Sequence, residues 1–230
     1  MLRSWSVVDF ILVWLGGAFG ATAGALLVAS SDAQTVFLAG LVGQYVGFLG
    51  VMAILARFKT EAGLGLVIQG SDFFYVAGGL TLQFAVALLL SPLADALFEN
   101  GLPTQTVADS LVDASSIRVQ VTLVFLYVVV GPVVEELTYR GVLFKALRRR
   151  GKWVAILGTA IVFAFVHYEV GSGWQTAVVI LPPVFVLGVL LAWLTERNGR
   201  LGPAIFLHSG WNLLAAFVLL LPPELLEQVS

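Results

Sequence analysis

Long apolar runs alternate along the chain with short polar segments. A helix needs about 20 consecutive apolar residues to cross the hydrocarbon core of a bilayer, so each run predicts a membrane-spanning helix. The strict apolar–polar alternation of a membrane β-barrel is absent from the sequence. We therefore predict an all-α fold, a polytopic membrane helix bundle of about seven transmembrane helices. The predicted helices cover residues 6–29, 36–56, 72–94, 117–147, 153–168, 174–195 and 202–221.

The amino-acid composition agrees with this pattern. Hydrophobic residues make up 59% of the chain and charged residues 11%, and the mean hydropathy is +0.98. A soluble domain contains about 45–50% apolar and about 25% charged residues, so the chain is predicted to be an integral membrane protein. Its net charge of −2 and scattered basic residues argue against a nucleic-acid partner. The absence of cysteine excludes disulfide and thiolate chemistry.

The basic residues predict the orientation of the bundle. Arg57 and Lys59 follow the second helix, a basic cluster at 145–152 separates helices four and five, and Arg197 and Arg200 separate helices six and seven. With seven spans these residues share one side of the membrane, and the loops of the other side are mainly acidic. The positive-inside rule then predicts a cytoplasmic N-terminus and an external C-terminus. The basic cluster is interpreted as a topology determinant, with binding of anionic membrane lipids as the alternative.

Ionisable residues are concentrated in the last four predicted helices. Glu135, Glu136 and Arg140 lie in helix four, and the only two histidines of the chain, His167 and His208, lie in helices five and seven. Ionisable groups cost several kcal/mol at bilayer depth and usually face the bundle interior, where they serve a function. Counted from the basic helix ends at 1.5 Å per residue, these groups lie about 12–22 Å into the bundle. We therefore predict that they converge on one site.

The chain is accordingly divided into two parts of a single integral membrane domain. Residues 1–115 contain helices one to three with their loops and carry no comparable set of polar residues. Residues 116–221 contain helices four to seven and form the predicted catalytic core. Within the core, Pro132 is expected to kink helix four beside the site, and Pro182-Pro183 is expected to kink or break helix six.

Helical spacing distinguishes the polar residues of the predicted site. Glu136 and Arg140 are four residues apart, so they share a helix face and are expected to form a structural ion pair. Glu135 points about 100° away from Glu136 and is left for chemistry, as a general base. His208 and Asn212 are also four apart, and both offer the hydrogen-bond donors that an oxyanion requires.

Three short motifs occur in order on successive predicted helices. They are Glu-Glu-x-x-x-Arg at 135–140, Phe-x-x-x-His at 163–167 and His-x-x-x-Asn at 208–212. Together they resemble the CAAX protease and bacteriocin-processing family of intramembrane endopeptidases, also called the Abi family. The resemblance covers about residues 115–220 and implies CAAX prenyl protease-like cleavage of a peptide or lipidated protein substrate.

The resemblance also implies a role for each motif residue. Glu135 and His167 would activate a water molecule that attacks the scissile carbonyl. His208 and Asn212 would stabilise the tetrahedral oxyanion, and the Glu136–Arg140 pair would brace the site. Phe163, four residues before His167, is expected to pack beside its imidazole rather than take part in chemistry.

A metal-dependent mechanism is the first alternative. Glu135, His167 and His208 are a plausible zinc set with an open fourth position. However, the short His-Glu-x-x-His arrangement is absent, and Asn212 is an unusual zinc ligand but a good oxyanion donor. We therefore expect that no cofactor is required, with zinc or another divalent metal as the alternative.

Two other functions remain open at this stage. The membrane carboxylates and histidines could form the relay of a proton-coupled transporter or channel, although such proteins often contain internal repeats that this chain lacks. The chain could also be a non-enzymatic bacteriocin-immunity or scaffold protein, for which the motif residues would be dispensable. Separately, each histidine and Asn212 could be only an interhelical hydrogen-bond partner. The acidic outer loops and the lack of cysteine favour the plasma membrane of a prokaryotic cell.

Overall fold

The computed structural model describes residues 4–59, 63–98, 110–169 and 173–221. These residues form a polytopic helical bundle, which confirms the predicted all-α class, and no strand occurs among them. A 3₁₀ turn at Gly70–Phe73 precedes the third helix. The main helices are α1 (Val7–Leu27), α2 (Ala33–Ala56), α3 (Phe74–Leu97), α4 (Ile117–Arg148), α5 (Lys152–Val166), α6 (Gly173–Asn198) and α7 (Gly202–Leu219).

The lengths of the helices limit how many can cross a membrane. In the described part of the chain, six helices are long and apolar enough to do so, and α5 is the shorter exception. With 15 residues, α5 extends about 22 Å, less than the hydrocarbon core of about 30 Å. The protein is thus an integral multi-pass membrane protein. A count of seven complete spans is not confirmed, and the cytoplasmic N-terminus stays a prediction.

α1 and α2 form a hairpin held by close contact between glycines. A Cβ atom on Gly20 or Gly47 would overlap the backbone of the facing helix, at Gly43 and Gly16 respectively. Without side chains at these positions, the two helices approach closely, as is common for helix pairs in membranes. The Asp32 side chain begins α2 by accepting a hydrogen bond from the backbone N–H of Thr35 at 3.0 Å.

α4 contains two π-helical segments within an otherwise α-helical run. The α-helical segment Gly131–Glu136 lies between two π-helical segments, Leu126–Val130 and Leu137–Leu143. π-Helical turns inside α-helices are rare and occur frequently at functional sites. The second π segment is buried at all seven residues, so this half of α4 is a central helix of the bundle. The kink expected at Pro132 therefore takes the form of a change in helical register.

The two prolines of α6 do not break the helix. α6 is continuous from Gly173 to Asn198, with Pro182 and Pro183 inside it. Of the two expected outcomes, the break in helix six is wrong, and the kink stays a prediction. Membrane helices tolerate proline because neighbouring helices and local adjustments satisfy the freed carbonyls. Beyond the prolines, Gly188 lets α6 approach α5, since a Cβ there would lie 3.0 Å from Cα of Ala160.

The connection before α3 is attached to the same end of the bundle as the basic helix ends. The carbonyl of Gly65 accepts a hydrogen bond from the backbone N–H of Leu201 at 2.8 Å, and Lys145 Nζ donates to the carbonyl of Gly63 at 2.6 Å. Arg200 forms an ion pair with the buried Asp72. These contacts lie at the helix ends, away from the polar residues in the middle of α4.

Candidate active site

The two adjacent glutamates of α4 have different environments. Glu136 is fully buried, and its Oε1 accepts a hydrogen bond from Arg140 Nη1 at 2.8 Å. The same oxygen lies 3.1 Å from Nδ1 of His208. The Glu135 side chain is 29% exposed and lines a cavity. The predicted Glu136–Arg140 ion pair is thus present, and Glu135 lies on the cavity side of the helix.

Arg140 joins three helices at the base of the site. Its Nη2 donates to the carbonyl of Gly188 on α6 at 3.0 Å, while Nη1 bonds Glu136 on its own helix. Its Cζ lies 4.5 Å from the centre of the Phe163 ring on α5, a cation–π distance. A fully buried guanidinium with these contacts fixes α4 relative to α5 and α6.

Phe163 is the aromatic centre of the site. Its ring centroid lies 4.6 Å from that of His167 and 5.7 Å from that of His208, and the ring itself is fully buried. Tyr139 packs on it edge-on at 5.2 Å. The prediction that Phe163 packs beside the His167 imidazole is confirmed. The ring also contacts the second histidine, so it orients both.

His167 lies at the C-terminal end of α5. Its Nδ1 lies 2.7 Å from the carbonyl oxygen of Phe163. A carbonyl can only accept, so Nδ1 carries the hydrogen and the neutral ring presents Nε2 as a lone-pair acceptor. His167 lines the same cavity as Glu135. A carboxylate and a basic imidazole nitrogen facing one cavity can together orient and deprotonate a water molecule.

His208 lies between the two glutamates. Its Nδ1 is 3.1 Å from Glu136 Oε1, and its Nε2 is 3.8 Å from Glu135 Oε2, a distance that favours charge interaction over a direct hydrogen bond. The residue is 3% exposed and is not among the side chains that line the cavity. His208 therefore lies behind Glu135 as seen from the cavity.

Asn212 bonds to α4 at the first π-helical segment. The backbone N–H of Gly131 bonds to the carbonyl of Leu126, five residues back. In this register the carbonyl of Tyr127 faces Pro132, which has no N–H. Asn212 Nδ2 donates to that carbonyl at 2.9 Å. One amide hydrogen of Asn212 thus satisfies a carbonyl that proline leaves without a donor, and the second remains available where the residue lines the cavity.

The cavity has a volume of about 230 Å³ and draws its walls from five helices. α1 contributes Trp14, whose Nε1 donates to the Tyr139 hydroxyl at 3.2 Å. α2 contributes Gln44 and Tyr45. Gln44 and Tyr45 were not predicted as site residues, because helices one to three carry no polar set comparable to that of helices four to seven. The sequence does show a glutamine and a tyrosine halfway along an apolar helix, and this position could have indicated a role for them.

The alternative zinc set, Glu135, His167 and His208, stays a prediction. Glu135, His167 and His208 lie near one another, but the described part of the chain contains no three His, Asp or Glu side chains placed to hold one metal ion. Nδ1 of His167 faces a carbonyl and Nδ1 of His208 faces Glu136, so a metal would have to be held by the Nε2 atoms.

The fold and the site are those of a polytopic membrane protein with a buried acid, base and amide constellation. Residues 117–214 match the family model described as type II CAAX prenyl endopeptidase Rce1-like. This match confirms the resemblance to the CAAX protease family, and it implies a protease with CAAX-type intramembrane activity. Neither the curated proteins nor the solved structures contain a significant match to the chain.

Proposed function

We propose that the protein is an intramembrane endopeptidase that hydrolyses a peptide bond with a water activated by Glu135 and His167. The observation that supports this most is the contrast within Glu135-Glu136. Glu136 is bonded to Arg140 and His208, whereas Glu135 faces the cavity together with His167. A second acid held at membrane depth without a buried arginine as partner, and with only His208 at 3.8 Å, is costly, which argues for a chemical role.

The first step is the attack of water on the scissile carbonyl. The water lies between the Glu135 carboxylate and Nε2 of His167, and Glu135 accepts one of its protons. A bond forms between the water oxygen and the carbonyl carbon, and the carbonyl oxygen becomes an oxyanion. The tautomer of His167 fits this step because its Nδ1 hydrogen bonds to the Phe163 carbonyl and leaves Nε2 as the acceptor.

We propose that Asn212 donates a hydrogen bond to the oxyanion, and that His208, which lies behind Glu135, stabilises it by its charge. Asn212 lines the cavity and has one amide hydrogen beyond the one bonded to Tyr127. His208 bonds Glu136 through Nδ1, so its Nε2 donates only when the ring carries a second proton. In that state the buried site contains two cations, His208 and Arg140, for the carboxylates of Glu135 and Glu136, so its charges balance.

The second step breaks the carbon–nitrogen bond. The tetrahedral intermediate collapses, the oxyanion becomes a carbonyl again, and Glu135 transfers its proton to the leaving amine. Glu135 returns to the carboxylate form, and the products are a new carboxyl terminus and a new amino terminus. The Glu136–Arg140 pair takes no part in proton transfer and keeps α4 in place.

No step of this mechanism requires a metal ion, and zinc or another divalent metal is the alternative. We expect dialysis against a chelator to leave the rate of peptide cleavage unchanged. Loss of cleavage that added zinc restores would overturn the metal-independent mechanism. The same preparation should be checked for folding by its thermal unfolding, because chelators can also act on stability.

The function is tested by comparing the protein termini of cells that express the wild type with those of cells that express Glu135→Gln at the same level. New termini that appear with the wild type and vanish with Glu135→Gln support the peptidase. Glu196→Gln is a matched control, because Glu196 pairs with the exposed Arg148 outside the cavity. Identical termini in all three strains, with a proton flux in liposomes that depends on Glu135, would favour the transporter instead.

The substrate is proposed to be a peptide or lipidated protein that reaches the cavity through the bilayer. We further propose that the protein lies in the plasma membrane of a prokaryotic cell. We also propose a cytoplasmic N-terminus, because the basic residues at Arg57, 145–152, Arg197 and Arg200 would then all lie on the cytoplasmic side. Membrane lipids are the expected surroundings of the apolar outer helix faces, and no nucleic-acid partner is expected.

A further inference from the structure

α2 contributes two polar side chains to the catalytic cavity. Gln44 and Tyr45 lie halfway along this helix of 24 residues, and both line the cavity that Glu135 and His167 share. α2 lies outside the segment that matches the Rce1-like family model, residues 117–214. Polar groups at membrane depth are rare, and those facing a cavity usually serve a function.

Both side chains direct unused hydrogen-bonding groups into the cavity. Within the described residues, neither the Gln44 amide nor the Tyr45 hydroxyl has a hydrogen-bond partner. By contrast, Gln34 at the start of α2 accepts a hydrogen bond from the backbone N–H of Ser115 at 2.8 Å. Hydrogen bonds within the described protein therefore do not account for the presence of Gln44 and Tyr45 in the middle of α2.

Tyr45 lies close to the catalytic carboxylate. A Cβ atom placed on Gly131 would lie 3.0 Å from the Tyr45 hydroxyl and 3.9 Å from Glu135 Oε1. Both groups thus border the same glycine, and the absence of a side chain on Gly131 keeps the space between them open. A molecule that contacts Glu135 within the cavity therefore also lies next to the cavity wall formed by α2.

The chemistry of this wall matches a peptide group. None of the described side chains that line the cavity is Lys or Arg, and α2 offers a neutral amide and a hydroxyl. An amide donates and accepts at once, as a peptide group does. We propose that Gln44 and Tyr45 form a subsite that binds the backbone peptide groups flanking the scissile bond. This inference rests on the proposed endopeptidase function and extends it to substrate binding.

The subsite answers a physical need of cleavage inside a membrane. A helical segment must unwind locally before its carbonyl can be attacked, and its peptide groups then lose their partners where little water is present to replace them. An unpaired peptide group in an apolar environment costs several kcal/mol. Gln44 and Tyr45 supply new partners at that place, and the adjacent rings of Trp14 and Phe48 provide apolar surface for substrate side chains.

The test uses purified protein in liposomes and a quenched fluorescent, farnesylated CAAX peptide as the probe. We expect Gln44→Leu to raise KM about tenfold, the effect of one lost hydrogen bond with its partner left unpaired, with little change in kcat. Tyr45→Phe should act in the same direction. Gln83→Leu is the matched control, because Gln83 lies on another membrane helix outside this cavity and should leave KM unchanged.

A second probe separates backbone binding from a general disturbance of the cavity. In two further peptides, an ester replaces the amide immediately before or immediately after the scissile bond, which removes one N–H from the substrate. If Gln44 binds that N–H, the wild type loses affinity for one ester probe by about tenfold, and Gln44→Leu shows no further loss. Equal losses in both proteins for both esters would overturn the subsite.

The outcomes also separate this inference from the proposed function. If Glu135→Gln abolishes cleavage of the first probe while Gln44→Leu keeps the wild-type KM, the proposed peptidase function is supported and the subsite is rejected. Cleavage that persists undiminished in Glu135→Gln rejects the proposed function itself. Thermal unfolding of each variant in detergent, expected to stay close to that of the wild type, shows that a raised KM does not come from misfolding.

Discussion

The adjacent acids Glu135 and Glu136 lie on two sides of α4 that have different environments. On one side, Glu136 is buried beside Arg140 and His208, and Arg140 continues the network to the backbone of α6. On the other side, Glu135 faces a cavity together with His167. Both carboxylates bear the cost of lying within a membrane helix, but only Glu136 has an ion pair with a buried arginine. Rotation by one residue along the helix thus separates a structural acid from a reactive one.

The largest expected effect lies on the structural side. Arg140→Met leaves Glu136 buried without its cation, and removal of one partner of a buried ion pair costs about 3–5 kcal/mol. We expect a large fall in the free energy of unfolding in detergent, or little folded protein. The double variant Glu136→Gln/Arg140→Met should recover part of that loss. A single variant as stable as the wild type would contradict a structural role for the pair.

The next effect lies on the cavity side and concerns rate. His167→Gln removes the imidazole Nε2 that we propose orients the attacking water, and loss of general acid–base assistance typically costs about 10²–10⁴-fold. We expect kcat for the probe peptide to fall by about this factor while KM and thermal unfolding change little. Destabilisation comparable to that of Arg140→Met would place His167 on the structural side instead.

A smaller effect tests the contact between Asn212 and the π-helical turn. Asn212→Leu leaves the Tyr127 carbonyl without a donor, at a cost of about 1–3 kcal/mol. Pro132→Ala restores a backbone N–H that can reach that carbonyl, so we expect the Asn212→Leu penalty to be smaller in that background. Thermal unfolding of the two single variants and the double variant gives the coupling, expected at about 1 kcal/mol. Simple additivity would show that proline does not create the need for Asn212.

The smallest effect is expected for an ion pair at the helix ends, away from both Glu135 and Glu136. Arg148 Nε lies 2.8 Å from Glu196 Oε2, and the Arg148 side chain is 47% exposed. Exposed pairs contribute about 0–1 kcal/mol, so Glu196→Gln should change neither the free energy of unfolding nor the rate by a measurable amount. A strong effect would mean that charge at the helix ends matters as much as charge within the bundle.

Much of the fold could be predicted from the sequence because apolar runs of membrane length allow few structures. The run predicted at 117–147 corresponds to α4 at Ile117–Arg148, and the run at 202–221 corresponds to α7 at Gly202–Leu219. Spacing also predicted the Glu136–Arg140 pair, since residues four apart always share a helix face. The sequence left open whether Pro182-Pro183 kink or break helix six, because the continuity of α6 depends on neighbouring helices that supply packing and donors.

The rest of the site depends on tertiary structure. The π-helical register of α4 was not foreseen, because only the folded chain shows that Asn212 reaches the Tyr127 carbonyl. Gln44 and Tyr45 were missed because α2 is apolar on all faces, so its pattern does not reveal which face meets α4.

The most direct measurement compares Glu135→Gln with Glu136→Gln in the same liposome preparation. Each substitution removes one carboxylate at adjacent positions and changes the side-chain volume very little. We predict that Glu135→Gln lowers kcat by about 10³-fold or more with thermal unfolding unchanged, while Glu136→Gln mainly lowers stability because Arg140 loses its partner. Full activity in Glu135→Gln, or equal effects of the two variants on both quantities, would contradict the assignment of one reactive and one structural glutamate.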